Sequence, residues 1–255
     1  MILTDTHTHL YSEAFDDDRK DMMTRAKEAN VSRFFIPAID SNYTEAMLQL
    51  EADYPDQVYL MMGLHPTSVK ANYKEELKHV ATWLEKRHFY AVGEIGIDLY
   101  WDTSTLDIQK EAFKYQIELA KHYNLPIVIH CREAFDEIFE VLEDVNDDKL
   151  FGIFHCFTGT LEQAERAIAL GMKLGIGGVV TFKNGKIDQF LSQIDLKHIV
   201  LETDAPYLAP KPYRGKRNES AYLTKILEKL SEIYSVSEEK IAEITTANSK
   251  EIFGI

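Results

Sequence analysis

The feature that most constrains this chain is an alternation. An apolar, β-branched or aromatic segment recurs eight times, at residues 2–7, 33–39, 58–64, 90–97, 126–130, 150–157, 172–178 and 198–204, each followed by a helical pattern. The intervening stretches, such as residues 74–86 and 108–122, carry apolar residues at helical spacing. Thr160-Leu161-Glu162-Gln163 reads as a capping box that opens one helix, and Gly171 as its stop. The triplet Asp16-Asp17-Asp18 puts negative charge where a helix N-terminus favours it. Eight strands alternating with helices fit a (β/α)₈ barrel, which takes about 250 residues. The rival, a doubly wound open sheet, lacks its nucleotide fingerprint. Gly175-Ile176-Gly177-Gly178 misses the G-x-G-x-x-G spacing, and no P-loop occurs. The expected fold is therefore an α/β chain forming a single (β/α)₈ TIM-type barrel domain over residues 1–255.

Charge narrows the class of partner. With 28 Lys and Arg against 42 Asp and Glu the net charge is −14, which favours solubility and disfavours a broad nucleic-acid-coating surface. A local basic patch stays compatible with that balance. Only two cysteines occur, Cys131 and Cys156, in no disulfide or CxxC pattern, which fits a reducing, cytoplasmic location. The N-terminus shows no signal-peptide pattern, and no apolar run reaches membrane-spanning length, so no membrane partner is expected.

In a barrel of this type the C-terminal ends of all the strands open on one face, where active sites are built. His7, His9, His65, His130 and His155 fall at or near such ends, as do Glu94 and Asp204. His79, His88, His122 and His198 lie in helices or at segment edges and read as ordinary surface or boundary residues. In an extended strand, His7 and His9 project to the same side. Alone, that pair fits a structural role as well as a metal claw. Jointly, five histidines and two carboxylates at one mouth need a cation to offset the cost of burying them. Imidazole with carboxylate suits Zn²⁺, Mn²⁺, Ni²⁺ or Mg²⁺, and the absence of thiolate ligands argues against a structural zinc site.

These residues and their neighbours resemble the TatD-like metal-dependent DNase family of the amidohydrolase superfamily. The likeness runs through "DTHTHL", "GLHP", "GEIGID", "IHCREAFDE", "HCFTG", "LETDAPYLAP", "RGKRNE" and "TTANSKEIFG". The resemblance implies a barrel with a divalent metal centre that hydrolyses phosphodiester bonds of DNA. His7 and His9 would hold one metal together with Asp204, and Glu94 would bridge to a second held by His130 and His155. Tyr11 stands where the family often has Asp, and Ser220 where it often has Pro; both departures lie outside the ligand set.

Two metals roughly 3.5–4 Å apart activate water and stabilise both oxygens of a phosphoryl displacement. Asp204 is the candidate to orient that water and accept its proton, a role that competes with that of ligand alone. His65 is assigned to polarising the phosphoryl oxygen or the leaving group. Glu202, two residues before Asp204, fits equally as a hydrogen-bonding support for a ligand and as a buried structural acid. Cys131 and Cys156 follow His130 and His155 directly, so they should point to the opposite strand face. Residues 205–218 contain Lys211, Arg214, Lys216 and Arg217 and no acid, a cluster placed where barrels often bind phosphate. Arg132, Arg214, Lys216 and Arg217 are accordingly the candidate substrate contacts. Tyr100 and Trp101 would stack on bases of a single strand or pack under a loop. The expected substrate is DNA at short or single-stranded ends, cut exonucleolytically. Alternatives are a related barrel hydrolase acting on another ester or amide (a small phosphoester, a lactone, a D-aminoacyl-tRNA) and a non-catalytic binding protein.

Overall fold

The computed structural model describes residues 1–255. Eight strands run through it: β1 (Leu3–Asp5), β2 (Val31–Ile36), β3 (Val58–Leu60), β4 (Val92–Asp98), β5 (Ile127–Arg132), β6 (Gly152–Phe154), β7 (Met172–Ile176) and β8 (Ile199–Leu201). The helices are α1 (Arg19–Glu28), α2 (Thr44–Asp53), α3 (Tyr73–Lys86), α4 (Leu106–Tyr123), α5 (Phe135–Asp144), α6 (Leu161–Ala169), α7 (Leu223–Tyr234) and α8 (Glu238–Phe253). All paired strands are parallel, in the orders β1-β2-β3 and β4-β5-β6-β7-β8. Main-chain hydrogen bonds close the two remaining seams. Between β3 and β4, Tyr90 N–H donates to Leu60 O at 2.9 Å and Gly93 N–H to Met62 O at 3.1 Å. Between β8 and the end of β1, Thr6 N–H donates to Leu201 O at 3.0 Å and Asp204 N–H to His7 O at 2.9 Å. The ring is thus complete, as the alternation predicts.

Strand periodicity divides the residues between two cores. Ile127 and Ile129 face outward into the large apolar cluster under the helices. Val128 faces inward, and with Phe35, Met61, Ala91, Ile153 and Val200 it forms a separate cluster. Ile252 and Phe253, at the end of α8, complete that cluster, Phe253 stacking on Phe35 with ring centroids 3.7 Å apart. One step along the same inward face stand His130 after Val128, His155 after Ile153 and Glu202 after Val200. The barrel interior therefore has an apolar floor with an ionic layer directly above it.

Strand β4 breaks the simple alternation. Ala91 belongs to the floor and Val92 to the outer core, which by period two would send Glu94 outward. The β4–β5 register shifts between Gly93 and Ile95. That irregularity re-aims Glu94 toward the interior while Ile95 and Ile97 remain in the outer core. Gly96 opposite His130 is obligatory, because its φ is +144° and a Cβ there would lie 2.0 Å from His130 O.

Three expectations change in detail. β1 ends at Asp5, so His7 and His9 follow the strand instead of lying on it; the amides of Thr6 and His9 bond toward β8 and that of Thr8 to Phe35 O. The β7–β8 crossover contains short 3₁₀ turns and no α-helix. Gly177-Gly178 and Asn184-Gly185 interrupt its first half, and residues 186–198, which carry no Gly or Pro, form only separate 3₁₀ turns. Two helices, α7 and α8, follow β8. The Thr160–Gln163 capping box is present at the start of α6, and Gly171 takes a positive φ just beyond its end. No helix is long and apolar enough to cross a membrane.

Candidate metal centre

The ionic layer opens into a cavity of about 620 Å³ at the C-terminal end of the strands. His9, His65, Glu94, His130, His155 and Asp204 all line it, and His7 lies fully buried beneath. Residues from β1 through β8 therefore meet at one place. His7 Nε2 lies 3.1 Å from Glu94 Oε2, and His9 Nε2 lies 3.4 Å from Asp204 Oδ1. The rings of His7 and His155 stack with centroids 3.4 Å apart. His130 Nδ1 approaches Glu94 Oε1 at 2.7 Å, and His65 Nε2 approaches the same oxygen at 3.3 Å.

Three sets of donor atoms, each within 4.8 Å of one another, could hold a divalent cation: His7 with His155 and Asp204, His7 with His9 and Glu94, and His65 with Glu94 and His130. Glu94 belongs to two of the three. His65, assigned from sequence to substrate polarisation, stands here beside His130, while His155 shares a donor set with His7 and Asp204. The chemistry of this set fits a metal. Neither ring nitrogen of the buried His7 makes a hydrogen bond of acceptable geometry, a costly arrangement for an imidazole with nothing else to bind. Carboxylate oxygens face it where a cation would be shared.

Electrostatics point the same way. Burial pushes the Glu94 carboxyl up, but the imidazoles of His65, His7 and His155 outweigh it and hold Glu94 well below the usual range. Asp204 is likewise lowered against the pull of burial, by His9, His155 and His7. Burial disfavours charge on His155, yet Glu202 and Glu94 raise it to about 10. Burial lowers His7 and His65, both of which favour the neutral ligand form. The site gathers ionised carboxylates in a closed space, a charge that suits a divalent cation.

Other side chains aim these groups. Glu202 Oε1 accepts from Cys156 N–H at 2.7 Å and lies 2.8 Å from His155 Nδ1 without the angle of a hydrogen bond, a buried acid set against a ligand candidate. Tyr11 donates its hydroxyl hydrogen to Pro37 O at 3.0 Å and lies 2.9 Å from His9 Nδ1. A phenol oxygen thus stands where a carboxylate partner would serve the same ring nitrogen. Asp98 is the residue that sequence reasoning passed over. Its Oδ2 lies 2.8 Å from His130 Nε2, and its Oδ1 accepts the amides of Tyr100 at 3.0 Å and Trp101 at 3.2 Å. The i, i+2, i+4 spacing of Glu94, Gly96 and Asp98 was the available signal.

The substrate candidates separate. Arg132 lines the cavity; Arg214, Lys216 and Arg217 do not. Arg217 is committed elsewhere, its guanidinium bidentate to Asp18 at 2.6 and 2.8 Å. Arg214 rests over the Phe182 ring at 3.8 Å. The basic loop therefore turns largely along the rim and toward α1, away from the opening. Cys131 packs against the outer core, as strand alternation requires, but both cysteines also contribute to the cavity wall. Cys156 departs from strand geometry, with φ +44°.

Residues 4–254 match the family model described as TatD related DNase. The chain belongs to the TatD related DNase family. It is 38% identical over 255 residues, all of both chains, to the Bacillus subtilis (strain 168) protein named "Uncharacterized metal-dependent hydrolase YabD". It is 30% identical over 258 residues, 98% of each chain, to the "3'-5' ssDNA/RNA exonuclease TatD" of Pectobacterium parmentieri. Among solved structures, the TatD homologue YJJV of Escherichia coli K12 superposes with a TM-score of 0.93 at 30% identity, over 99% of this chain and 98% of that one. This TatD family member is thus a metal-dependent hydrolase built on a TIM-type barrel, in keeping with the fold and the donor set described above.

Proposed function

We infer that this chain is a divalent-metal-dependent phosphodiesterase that shortens single-stranded DNA from its end. The observation that carries the reading is the convergence of six metal-type donors with one cation, Arg132, in the same cavity wall. The printed name of the Pectobacterium relative, a 3'-5' ssDNA/RNA exonuclease, supports the same substrate class. In this reading His7, His9, Glu94, His130, His155 and Asp204 are the residues that would hold the divalent metals. When bound, the metals supply Lewis acidity and an acidified water for attack on phosphorus.

The chain's own groups divide the remaining work. Asp204, ionised and partly open to the cavity, is the carboxylate able to accept a proton at Oδ1 or Oδ2. His65 Nδ1 accepts the Thr67 amide at 3.1 Å, which places the ring proton on Nε2, facing the centre. That N–H faces Glu94 Oε1 at 3.3 Å and His130 Nδ1 at 3.1 Å, so a phosphoryl or leaving oxygen would compete with these partners for it. Arg132 supplies the planar, permanently charged fork that phosphate oxygens favour.

The test is an end-labelled assay. The protein is stripped with chelator and given a 5'-labelled single-stranded oligonucleotide with Mg²⁺, Mn²⁺, Zn²⁺ or no metal. Stepwise shortening that requires metal, and that is lost in His7→Ala/His9→Ala, is the expected result. Tight metal binding without cleavage under any condition would refute the substrate assignment.

A further inference from the structure

The mouth of the cavity carries a feature that neither metal binding nor the hydrolytic step uses. Large aromatic side chains are normally covered in a folded protein, because each buries a large apolar area. Here Trp101 is 69% exposed and Tyr207 54% exposed, and both line the cavity. Trp101 belongs to the loop after β4 and Tyr207 to the loop after β8. These strands are four places apart in an eight-strand ring, so the two side chains stand on opposite sides of the opening. Glu94 and Asp204 line the same cavity as these two rings.

Trp101 is held in place. The Asp98 carboxylate accepts its backbone amide and that of Tyr100, while facing His130 from its other oxygen. Arg132 lies over the Tyr100 ring at 3.7 Å and 5.5 Å from the centre of the Trp101 ring. The stack fixes a guanidinium beside an open indole at low conformational cost. An aromatic face next to a pre-positioned cation matches one repeating unit of an unpaired strand, a base followed by a phosphate. Within a duplex, the faces of the internal bases are covered by their stacked neighbours.

We propose that Trp101 and Tyr207 are base-stacking platforms flanking the centre, with Arg132 binding the phosphate next to the Trp101-stacked base, so that the site selects unpaired strands by their bases. This rests on the phosphodiesterase reading for the chemistry but is tested separately from it. The contacts are to base faces, so selection is for unpaired strands without strong sequence preference.

The chain has two tryptophans, so Trp83→Phe leaves Trp101 as the only indole reporter. The Mg²⁺-loaded Trp83→Phe protein is titrated with six-residue oligothymidylate carrying phosphorothioate linkages that slow turnover, and with an abasic strand of the same length and linkages. Oligothymidylate is expected to quench Trp101 fluorescence and to bind about ten-fold or more tightly than the abasic strand. In an anisotropy assay with labelled strands, Trp101→Ala should erase most of that preference, and Arg132→Ala should weaken both strands together. Equal binding of the two strands, or an unchanged preference in Trp101→Ala, overturns the proposal. Cleavage of an unmodified strand is scored in parallel. Base-dependent quenching without cleavage keeps the platforms and removes the phosphodiesterase reading. Cleavage with no dependence of affinity on bases does the reverse.

Discussion

Asp5 offers a prediction whose sign and size both follow from the structure. The residue is fully buried at the end of β1. Its carboxyl accepts from Thr203 N–H at 2.9 Å, Thr203 Oγ1 at 2.6 Å and Ser220 Oγ at 2.7 Å. Burial outweighs those three donors and lifts it from its ordinary 3.8 to about 7. A carboxyl with a higher pKa folded than unfolded holds its proton more tightly in the folded state. The stability it contributes is therefore present at low pH and is lost as pH rises from about 4 through about 7. Asp5→Asn keeps an acceptor for the Thr203 amide, and the two hydroxyls can turn to accept from its amide group, but it cannot titrate. Between pH 5 and pH 8 the wild type should lose about 2–3 kcal/mol relative to Asp5→Asn. For a chain of this size that is roughly 5–10 °C in relative Tm. Thermal unfolding of both metal-stripped proteins across that range measures it. A Tm difference that stays constant with pH would show that the three donors keep the carboxylate charged, and the argument from burial would fall.

Other perturbations separate the floor from the centre. Asp98→Asn should weaken metal binding about 10- to 100-fold by freeing His130 from its carboxylate partner, read by titration calorimetry of stripped protein; unchanged affinity would count against its orienting role. Tyr11→Phe removes the oxygen beside His9 Nδ1 and should weaken the metal shared by His9 and Asp204, with the far-UV spectrum unchanged. Phe253→Ala should cost about 3–5 kcal/mol in denaturant unfolding and leave metal stoichiometry as it was, since Phe253 touches only the floor. Chelation should lower Tm, and restored free metal should raise it again with the logarithm of its concentration; a Tm indifferent to metal would contradict the centre.

The sequence disclosed those features that depend on local period. The eightfold alternation identifies the ring, and the rule that strand ends share one face gathers His65, His130, His155 and Asp204 without knowledge of any contact. The remainder depends on pairing. Glu94 faces inward only because the β4–β5 register slips by a residue, and nothing in "AVGEIGID" states which neighbour that strand has. Asp98 acquires its role from His130, which sits on another strand. Arg217 was read as a phosphate contact because its loop is basic; Asp18, 199 residues away, claims its guanidinium. Exposure of Trp101 was equally beyond reach, since stacking and packing make the same demand on residue type.

The apolar floor has a consequence for exchange. Phe35, Val128, Ile153, Val200 and Phe253 leave no polar route from below, so the barrel behaves as a vessel with one neck. Metal, water and protons would enter and leave by the mouth that Trp101, Arg132 and Tyr207 line. On the proposed reading, a strand lying across that neck would also be a stopper, holding the ions in while it is cut and letting them escape fastest when the vessel stands empty.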